Sequence, residues 1–446
     1  MLDESLKRVS VLGAAGKMGS GISLLLLQEM ARREAMYTGG VGNGEYSLVL
    51  IDANKAALGS LRRYLRSQVR RFAEKNINPL REFYAENRVL ISNEEIIDAF
   101  VEGAIDMVRF ETEVEQAKES LLIFEAILED VEVKTEVFAK INSVGRDDAY
   151  YFTNTSSIPI GVLSKKSGLG GRLIGYHFFN PPPVQRLLEI IPAEETNKQL
   201  IEDATLLAEI FRKVVVTSKD VAGFIGNGHF IREIDYAFRK VRELEKEYSR
   251  PEAILMIDRV TRDFLLRPMG VFQLIDYVGI DVCQEVINIM THYLGVSFER
   301  SLIDQMVHER VLGGQNPDGS QKEGFFQYEK RKPVKIYSEG AYTDFPKIAL
   351  DDLPKGHIPW KQLHKMKDRE VVLRNYFHDL FAMDTLGAQL AQGHLYESRE
   401  IARNLVKEGV AETVEEVNLV LRNGFYHLYG ADNPWIPEKT SMRAGP

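Results

Sequence analysis

The feature that most constrains the fold of this 446-residue chain is a join close to its start. Residues 8–12 (RVSVL) read as a short β-branched strand. Gly13-Ala14-Ala15-Gly16-Lys17-Met18-Gly19 reads as a glycine turn, and an apolar helix begins at about Ser20. Strand, glycine turn and helix in that order are the context a dinucleotide-binding sheet requires. Glycines let the backbone approach a pyrophosphate, and the helix N-terminus offers free N–H groups and a positive dipole end. The spacing is G-x-x-G-x-x-G rather than G-x-G-x-x-G, with Ala14 where the usual first glycine would be, and a tight turn without a ligand could carry the same residues. The next strand, 46–51 (YSLVLI), ends in Asp52, an acid placed to accept hydrogen bonds from an adenosine ribose and so to favour NAD over NADP. Between them residues 37–44 read as a flexible surface insertion.

Further apolar strands are expected at 121–126, 150–153, 171–176, 186–191 and 214–216, with helices at 56–75 and 132–143 between them. From Lys219 the pattern is helical almost to the end. It is interrupted by the Pro-Gly break at 267–270 and by a polar loop at 313–326 that includes 316–319. Residues 417–422 (VNLVLR) resemble 257–262 (IDRVTR), and Gly430 then falls on Gly270. This is either coincidence or a second, degenerate helical copy from about residue 366. Residues 328–360, rich in Lys, Pro and Gly, read as a connector. The fold class is therefore α/β: a Rossmann-type dinucleotide-binding domain over 1–217, followed by an all-α region of 218–330, a connector of 331–365 and a second helical copy of 366–446.

The chemistry centres on 176–191. His177 closes an apolar run, Pro181-Pro182-Pro183 enforce an extended turn, and Glu189 is the one acid in a second apolar run. A carboxylate buried there is costly without a partner. A histidine held by a carboxylate through one ring nitrogen can trade a proton through the other. A core histidine beside a strand-edge glutamate is the bland alternative. Asn154-Thr155-Ser156-Ser157 follow the strand at 150–153, where open α/β sheets place ligand contacts, though one of them could simply cap a helix. Arg62, Arg66 and Arg70 share one helix face, with Arg63 and Arg71 beside them. The row suits a polyphosphate such as the nucleotide end of coenzyme A, or is a solvated face.

The net charge of −9 argues against non-specific nucleic-acid binding. The single cysteine, Cys283, permits no intrachain disulfide framework and disfavours a thiolate metal cluster; no metal is expected. The start of the chain carries Asp3 and Glu4 and no apolar signal core. The apolar patch at 24–27 is far shorter than the ~20 residues of a membrane span. A cytoplasmic, reducing compartment with no membrane partner is the default expectation.

Together the motifs NTSS (154–157), HFFNPPPV (177–184) with Glu189 downstream, KDVAGFIGN (219–227) and RPMGVFQLIDYVG (267–279) resemble the 3-hydroxyacyl-CoA dehydrogenase family, from Gly13 to about Tyr328. The resemblance implies NAD as cofactor and an acyl-CoA substrate. It implies His177 as general base, Glu189 orienting it, and Ser156 and Asn227 hydrogen-bonded to the substrate oxygen. Asn154 and Asn180 would line the nicotinamide region. Glu129 and Lys134 match cofactor-contact positions, and the helix of Arg62, Arg66 and Arg70 takes the place of the family's arm over coenzyme A. Ser320 stands where the family carries a lysine. The C-terminal region resembles the second helical domain of multifunctional fatty-oxidation members. No hydratase-like stretch precedes the glycine turn, so hydration is not expected. The implied reaction is reversible oxidation of a (3S)-3-hydroxyacyl-CoA. A relative acting on a free or cyclic hydroxy acid, or a non-catalytic nucleotide-binding subunit, are the rival readings. Both a homodimer and a monomer with an internal pseudo-dimer of helical domains are open.

Overall fold

The computed structural model describes residues 2–39, 44–316, 319–348, 350 and 352–438. The chain divides into two units, Met1–Asp220 and Val221–Pro446.

The first unit is built on eight strands: β1 (Arg8–Leu12), β2 (Ser47–Ile51), β3 (Val108–Glu111), β4 (Leu122–Glu125), β5 (Tyr150–Thr153), β6 (Leu173–Phe178), β7 (Leu187–Ile191) and β8 (Val214–Thr217). Their order is β3-β2-β1-β4-β5-β6-β7-β8. β1 to β6 run parallel; β7 is antiparallel to β6 and parallel to β8. Every residue of β4, β6 and β7 is buried, as expected of strands covered on both faces. An aromatic row crosses the middle of the sheet. Phe124 stacks on Phe152 at 4.6 Å, and Tyr176 meets Phe152 and Phe178 edge-on at 5.2 Å each. Such pairs add to the area they bury and help fix the sheet face beneath β6.

Chain order reverses between β1 and β4, and the crevice outside the carboxyl ends of those strands is where open α/β sheets bind ligands. The helix leaving β1 runs over Lys17–Thr38 and ends on Gly39 in the left-handed conformation. Tyr37 and Thr38, expected in a surface insertion, thus complete the helix, while residues 40–43 of that insertion lie outside the described residues. The arginine-bearing helix, Lys55–Lys75, buries Leu58, Leu61, Leu65, Val69 and Ala73, one face at helical spacing.

The second unit is helical, with a small antiparallel sheet where a plain connector was expected. Strands Phe326–Glu329, Lys332–Ser338 and Ala341–Asp344 form it in sequence order. Its first hairpin turns through Lys330 and Arg331, both at positive φ (47° and 68°), residues that carry no turn signal in a sequence. Asp276 anchors this sheet from the preceding helix Val271–Val278. Its buried carboxylate accepts from Phe325 N (2.7 Å), Phe326 N (3.0 Å) and Tyr328 Oη (2.8 Å). Of the polar loop ahead of the sheet, residues 317–318 lie outside the described residues.

Two glycines meet side chains on earlier helices in the same manner. Asp258 accepts from Gln273 N at 3.0 Å, and a Cβ on Gly270 would fall 2.3 Å from its Oδ1. Asn418 accepts from Asp432 N at 3.2 Å, and a Cβ on Gly430 would fall 2.2 Å from its Cγ. The helices Gly226–Leu244 and Leu386–Lys407 pack together, each carrying a Gly-His pair, Gly228-His229 and Gly393-His394. Between them and the neighbouring loops lies a cluster of buried polar groups. Arg267 Nη1 donates to Glu233 Oε1 at 2.6 Å, and His229 Nε2 meets Ser398 Oγ at 3.1 Å. His394 stands edge-on to Tyr236 at 4.8 Å, with both ring nitrogens buried and, among the described residues, without a hydrogen-bond partner. His427 is buried nearby. Burial pushes the His229 imidazole down to about 4 and His394 to about 3, and holds His427 well below its ordinary value. Among the described residues no helix is long and apolar enough to cross a membrane.

Candidate active site

The glycine turn closes against the neighbouring strand ends. Gly13 lies at φ +70°, and a Cβ there would fall 2.5 Å from Ala126 O. A Cβ on Gly19 would fall 2.0 Å from Gly13 O, and one on Gly16 would fall 3.2 Å from it. Only glycine fits the first two positions, and the helix beginning at Lys17 then directs its N-terminal N–H groups, with Met18 and Gly19 in its first turn, toward the crevice. Asp52 follows β2 as expected. Its Oδ2 accepts from Ala15 N at 3.0 Å and its Oδ1 from Asn54 N at 2.9 Å, so it also braces the turn. A glycine cradle with this bracing fits the pyrophosphate and ribose of a dinucleotide.

Glu129 and Lys134 belong to a buried charge network whose third member, Glu125, the sequence reading did not single out. Lys134, 1 % exposed, donates to Glu125 Oε1 and lies 3.5 Å from Glu129 Oε2. Glu125 Oε2 accepts from Thr153 Oγ1 at 2.6 Å. Glu129 Oε1 accepts from Thr155 Oγ1 (2.7 Å), Ser156 N (2.8 Å) and Ser157 N (3.0 Å), and from the Ser156 and Ser157 hydroxyls. Burial raises the Glu129 carboxyl, but Lys134 and these donors outweigh it and hold it below the usual range. Burial likewise lowers Lys134, and the two carboxylates more than reverse that. The network fixes the loop carrying Ser156. The signal for Glu125 is a lone acid ending an apolar strand, LIFE.

Asn154 Oδ1 accepts from Phe178 N at 2.9 Å, tying the end of β5 to the residue after His177. β6 runs on through Phe178, two residues past its expected end, because its ladder with β7 continues to Phe178↔Leu188. His177 and Glu189 are direct cross-strand partners in that ladder. His177 Nδ1 lies 2.8 Å from Glu189 Oε2, with Glu189 fully buried and His177 8 % exposed. The His177 ring packs against Phe179 at 4.8 Å.

Asn180 opens the proline turn, which is folded rather than extended. Pro182 and Pro183 have no N–H, so the next donors, Val184 and Gln185, both reach back to Pro181 O at 2.9 Å. Gly21 of the first helix abuts the turn, and a Cβ there would fall 2.7 Å from Pro182 Cδ. Lys213, just before β8, donates to Pro182 O and, at 2.6 Å, to Gln185 O. Asp220 accepts from Ile160 N and Gly161 N, capping the helix after the Ser156 loop. Gly21, Lys213 and Asp220 act across long sequence separations that leave no local signal.

Arg66 pairs with Glu102, and Arg70 with Glu94 and Asp98, all three acids on the adjacent helix Asn93–Asp106. Arg62 lies over the Phe110 ring, 5.8 Å from its centroid, and pairs with no carboxylate among the described residues. Asn227 belongs to the second unit, as the second residue of the helix Gly226–Leu244. Gly223 lies at φ +86°, where a Cβ would meet Met290 Sδ at 2.7 Å.

Comparison with known proteins matches residues 8–221 to the 3-hydroxyacyl-CoA dehydrogenase NAD binding domain, and residues 223–323 to the C-terminal domain of the same family. A probable 3-hydroxyacyl-CoA dehydrogenase of Caenorhabditis elegans is 30% identical over 332 residues, 73% of this chain and 97% of that protein. A probable 3-hydroxybutyryl-CoA dehydrogenase of Bacillus subtilis is 28% identical over 328 residues, 73% of this chain and 99% of that protein. The crystal structure of 3-hydroxybutyryl-CoA dehydrogenase from Escherichia coli shares the fold, with a TM-score of 0.61 at 20% identity over 95% of this chain and 90% of that one.

Proposed function

The chain belongs to the 3-hydroxyacyl-CoA dehydrogenase family of NAD-dependent oxidoreductases, and on that premise we propose that it oxidises a (3S)-3-hydroxyacyl-CoA reversibly to the 3-oxoacyl-CoA, with His177 as the general base. The observation that carries this reading is the cross-strand pair of His177 and buried Glu189 at 2.8 Å, at the carboxyl end of a dinucleotide sheet. With Nδ1–H donated to the Glu189 carboxylate, Nε2 of His177 is the nitrogen left to take the 3-hydroxyl proton. Glu189 holds the ring and stabilises the charge it gains. The Ser156 hydroxyl donates to the substrate oxygen as it becomes a carbonyl.

NAD supplies the hydride acceptor when bound. Gly13, Gly16, Lys17, Met18 and Gly19 cradle its pyrophosphate, Asp52 holds the ribose, and Asn154 and Asn180 border the nicotinamide. Glu129 shapes that wall, and Lys134, being buried, acts through Glu129. The coenzyme A nucleotide lies along the helix Lys55–Lys75. Arg62 is the first cation available to it, since Arg66 and Arg70 also serve Glu94, Asp98 and Glu102. We also propose that the chain from about residue 366 is the second, degenerate helical copy, of which 439–446 lie outside the described residues, a reading supported by the matching Asp258–Gly270 and Asn418–Gly430 contacts.

The test is NADH oxidation with acetoacetyl-CoA beside free acetoacetate. Turnover of the thioester alone is expected. Turnover of the free acid at a comparable kcat/KM would overturn the acyl-CoA assignment.

A further inference from the structure

Lys213 plays no part in the proton or hydride chemistry, yet it holds the segment between the two members of the catalytic pair. It stands one residue ahead of β8, whose Val214 N donates to Arg186 O at 2.8 Å and whose Val214 pairs with Leu187 of β7. From there its ammonium reaches Pro182 O and Gln185 O, one near each end of the proline turn, and sits 5.6 Å over the Phe178 ring. Among the described residues it has no carboxylate partner. A lysine bound only to carbonyls and an aromatic face is a clamp rather than an ion pair.

What the clamp protects follows from the ladder. β6 and β7 share four paired positions, Gly175↔Ile191 to Phe178↔Leu188. His177↔Glu189 is the second pair in from the turn, so opening of the ladder from the turn end breaks the catalytic pair almost at once. Val184 N and Gln185 N both donate to Pro181 O, and Pro182 and Pro183 contribute no donors. Lys213 supplies the donors that the prolines lack.

We propose that Lys213 is a positioning residue, its ammonium clamping the proline turn so that Glu189 stays in register beneath His177. This inference rests on the dehydrogenase reading and deepens it. The titratable side chains on the elements packed around it are His177 of β6, which is paired with Glu189 of β7, Arg186 at the end of the turn, and Glu202, Asp203 and Glu209 on the helix Lys198–Ile210. Burial alone lowers its pKa, to about 8. The charged clamp therefore weakens within the accessible pH range, which gives it a kinetic signature.

The experiment compares the parent chain with Lys213→Arg and Lys213→Met in the oxidation direction, using (3S)-3-hydroxybutyryl-CoA and NAD across pH 6–10. In this direction a base that must be unprotonated gives an acid limb, and an alkaline limb belongs to Lys213 when Lys213→Arg moves it. The parent is expected to lose kcat above about pH 8. Arginine keeps its charge throughout that range, so Lys213→Arg should retain at least a third of the parental kcat at pH 7 and move the alkaline limb upward by at least one pH unit. Lys213→Met should lose about 10- to 100-fold in kcat, with KM for NAD and thioester changed by less than about three-fold, as expected when a reacting group is misplaced but the binding surfaces are kept. A parent profile flat to pH 10, or an alkaline limb at the same pH in Lys213→Arg, would overturn the proposal. Because the arginine variant decides by the position of its limb, misfolding of the methionine variant leaves the test intact. Parental turnover separates failure here from failure of the dehydrogenase reading.

Discussion

His394 offers a quantitative test of the helical unit. Its ring is buried against Tyr236, and burial is the largest cause of its depressed pKa. Arg267 and Lys240 also disfavour its charge, while Glu233 favours it. A group whose folded pKa lies below its unfolded value stabilises the fold above the unfolded pKa. That contribution drains away as pH falls toward the folded pKa. For His394 the window opens at 6.5 and runs down to about 3. Between pH 7 and pH 5 the unfolded chain takes up about 0.7 of a proton that the folded ring refuses, a loss of roughly 2 kcal/mol. His394→Phe keeps a ring against Tyr236 and removes the titration, and any packing cost it carries is the same at both pH values. Asp276, raised to about 8 by burial, titrates in the opposite sense, so absolute stability against pH is the wrong observable. The difference between variant and parent cancels it. Both tryptophans, Trp360 and Trp435, lie in the second unit, so their fluorescence in urea reports its unfolding. At an m-value of about 2.5 kcal/mol/M, the urea midpoint of the variant minus that of the parent should rise by roughly 0.8 M from pH 7 to pH 5. A midpoint difference equal at the two pH values would refute the argument.

Two further outcomes are expected. His177→Ala should abolish turnover while NADH still binds by fluorescence titration, and an active variant would remove His177 from the mechanism. Lys134→Met leaves Glu125 and Glu129 buried without their cation and should cost about 3–5 kcal/mol by thermal unfolding; an unchanged Tm would show that the two acids do not depend on it.

Apart from the edge strand β3, where no strand was expected, the sheet and its ligand edge were legible because their signals are local. The run RVSVL into Gly13, the acid after 46–51 and the apolar runs around 173–191 each declare themselves within a few residues. The His177–Glu189 pair was also legible, since twelve residues and one turn separate its members. Contacts made across the sequence were not. Lys213 reaches the proline turn from about thirty residues downstream. Arg66 and Arg70 looked free because Glu94, Asp98 and Glu102 stand on another helix. His229 meets Ser398 across 169 positions. The Lys330-Arg331 turn was hidden for a different reason: long cationic side chains occupy backbone angles that Asn or Gly ordinarily advertise.

The pairing of β6 with β7 makes the His177–Glu189 contact all-or-none. Side chains on a strand alternate faces, so a slip of one residue would set Leu188 or Ile190 against His177 and turn Glu189 to the opposite side. A slip of two would restore the face but carry the carboxylate ~7 Å along the strand, beyond hydrogen-bond reach. No intermediate position exists for a small backbone drift to explore. The histidine therefore cannot be retuned by sliding its partner; natural variants can adjust it only through the groups around the ring, and anyone transplanting the pair must carry the ladder with it.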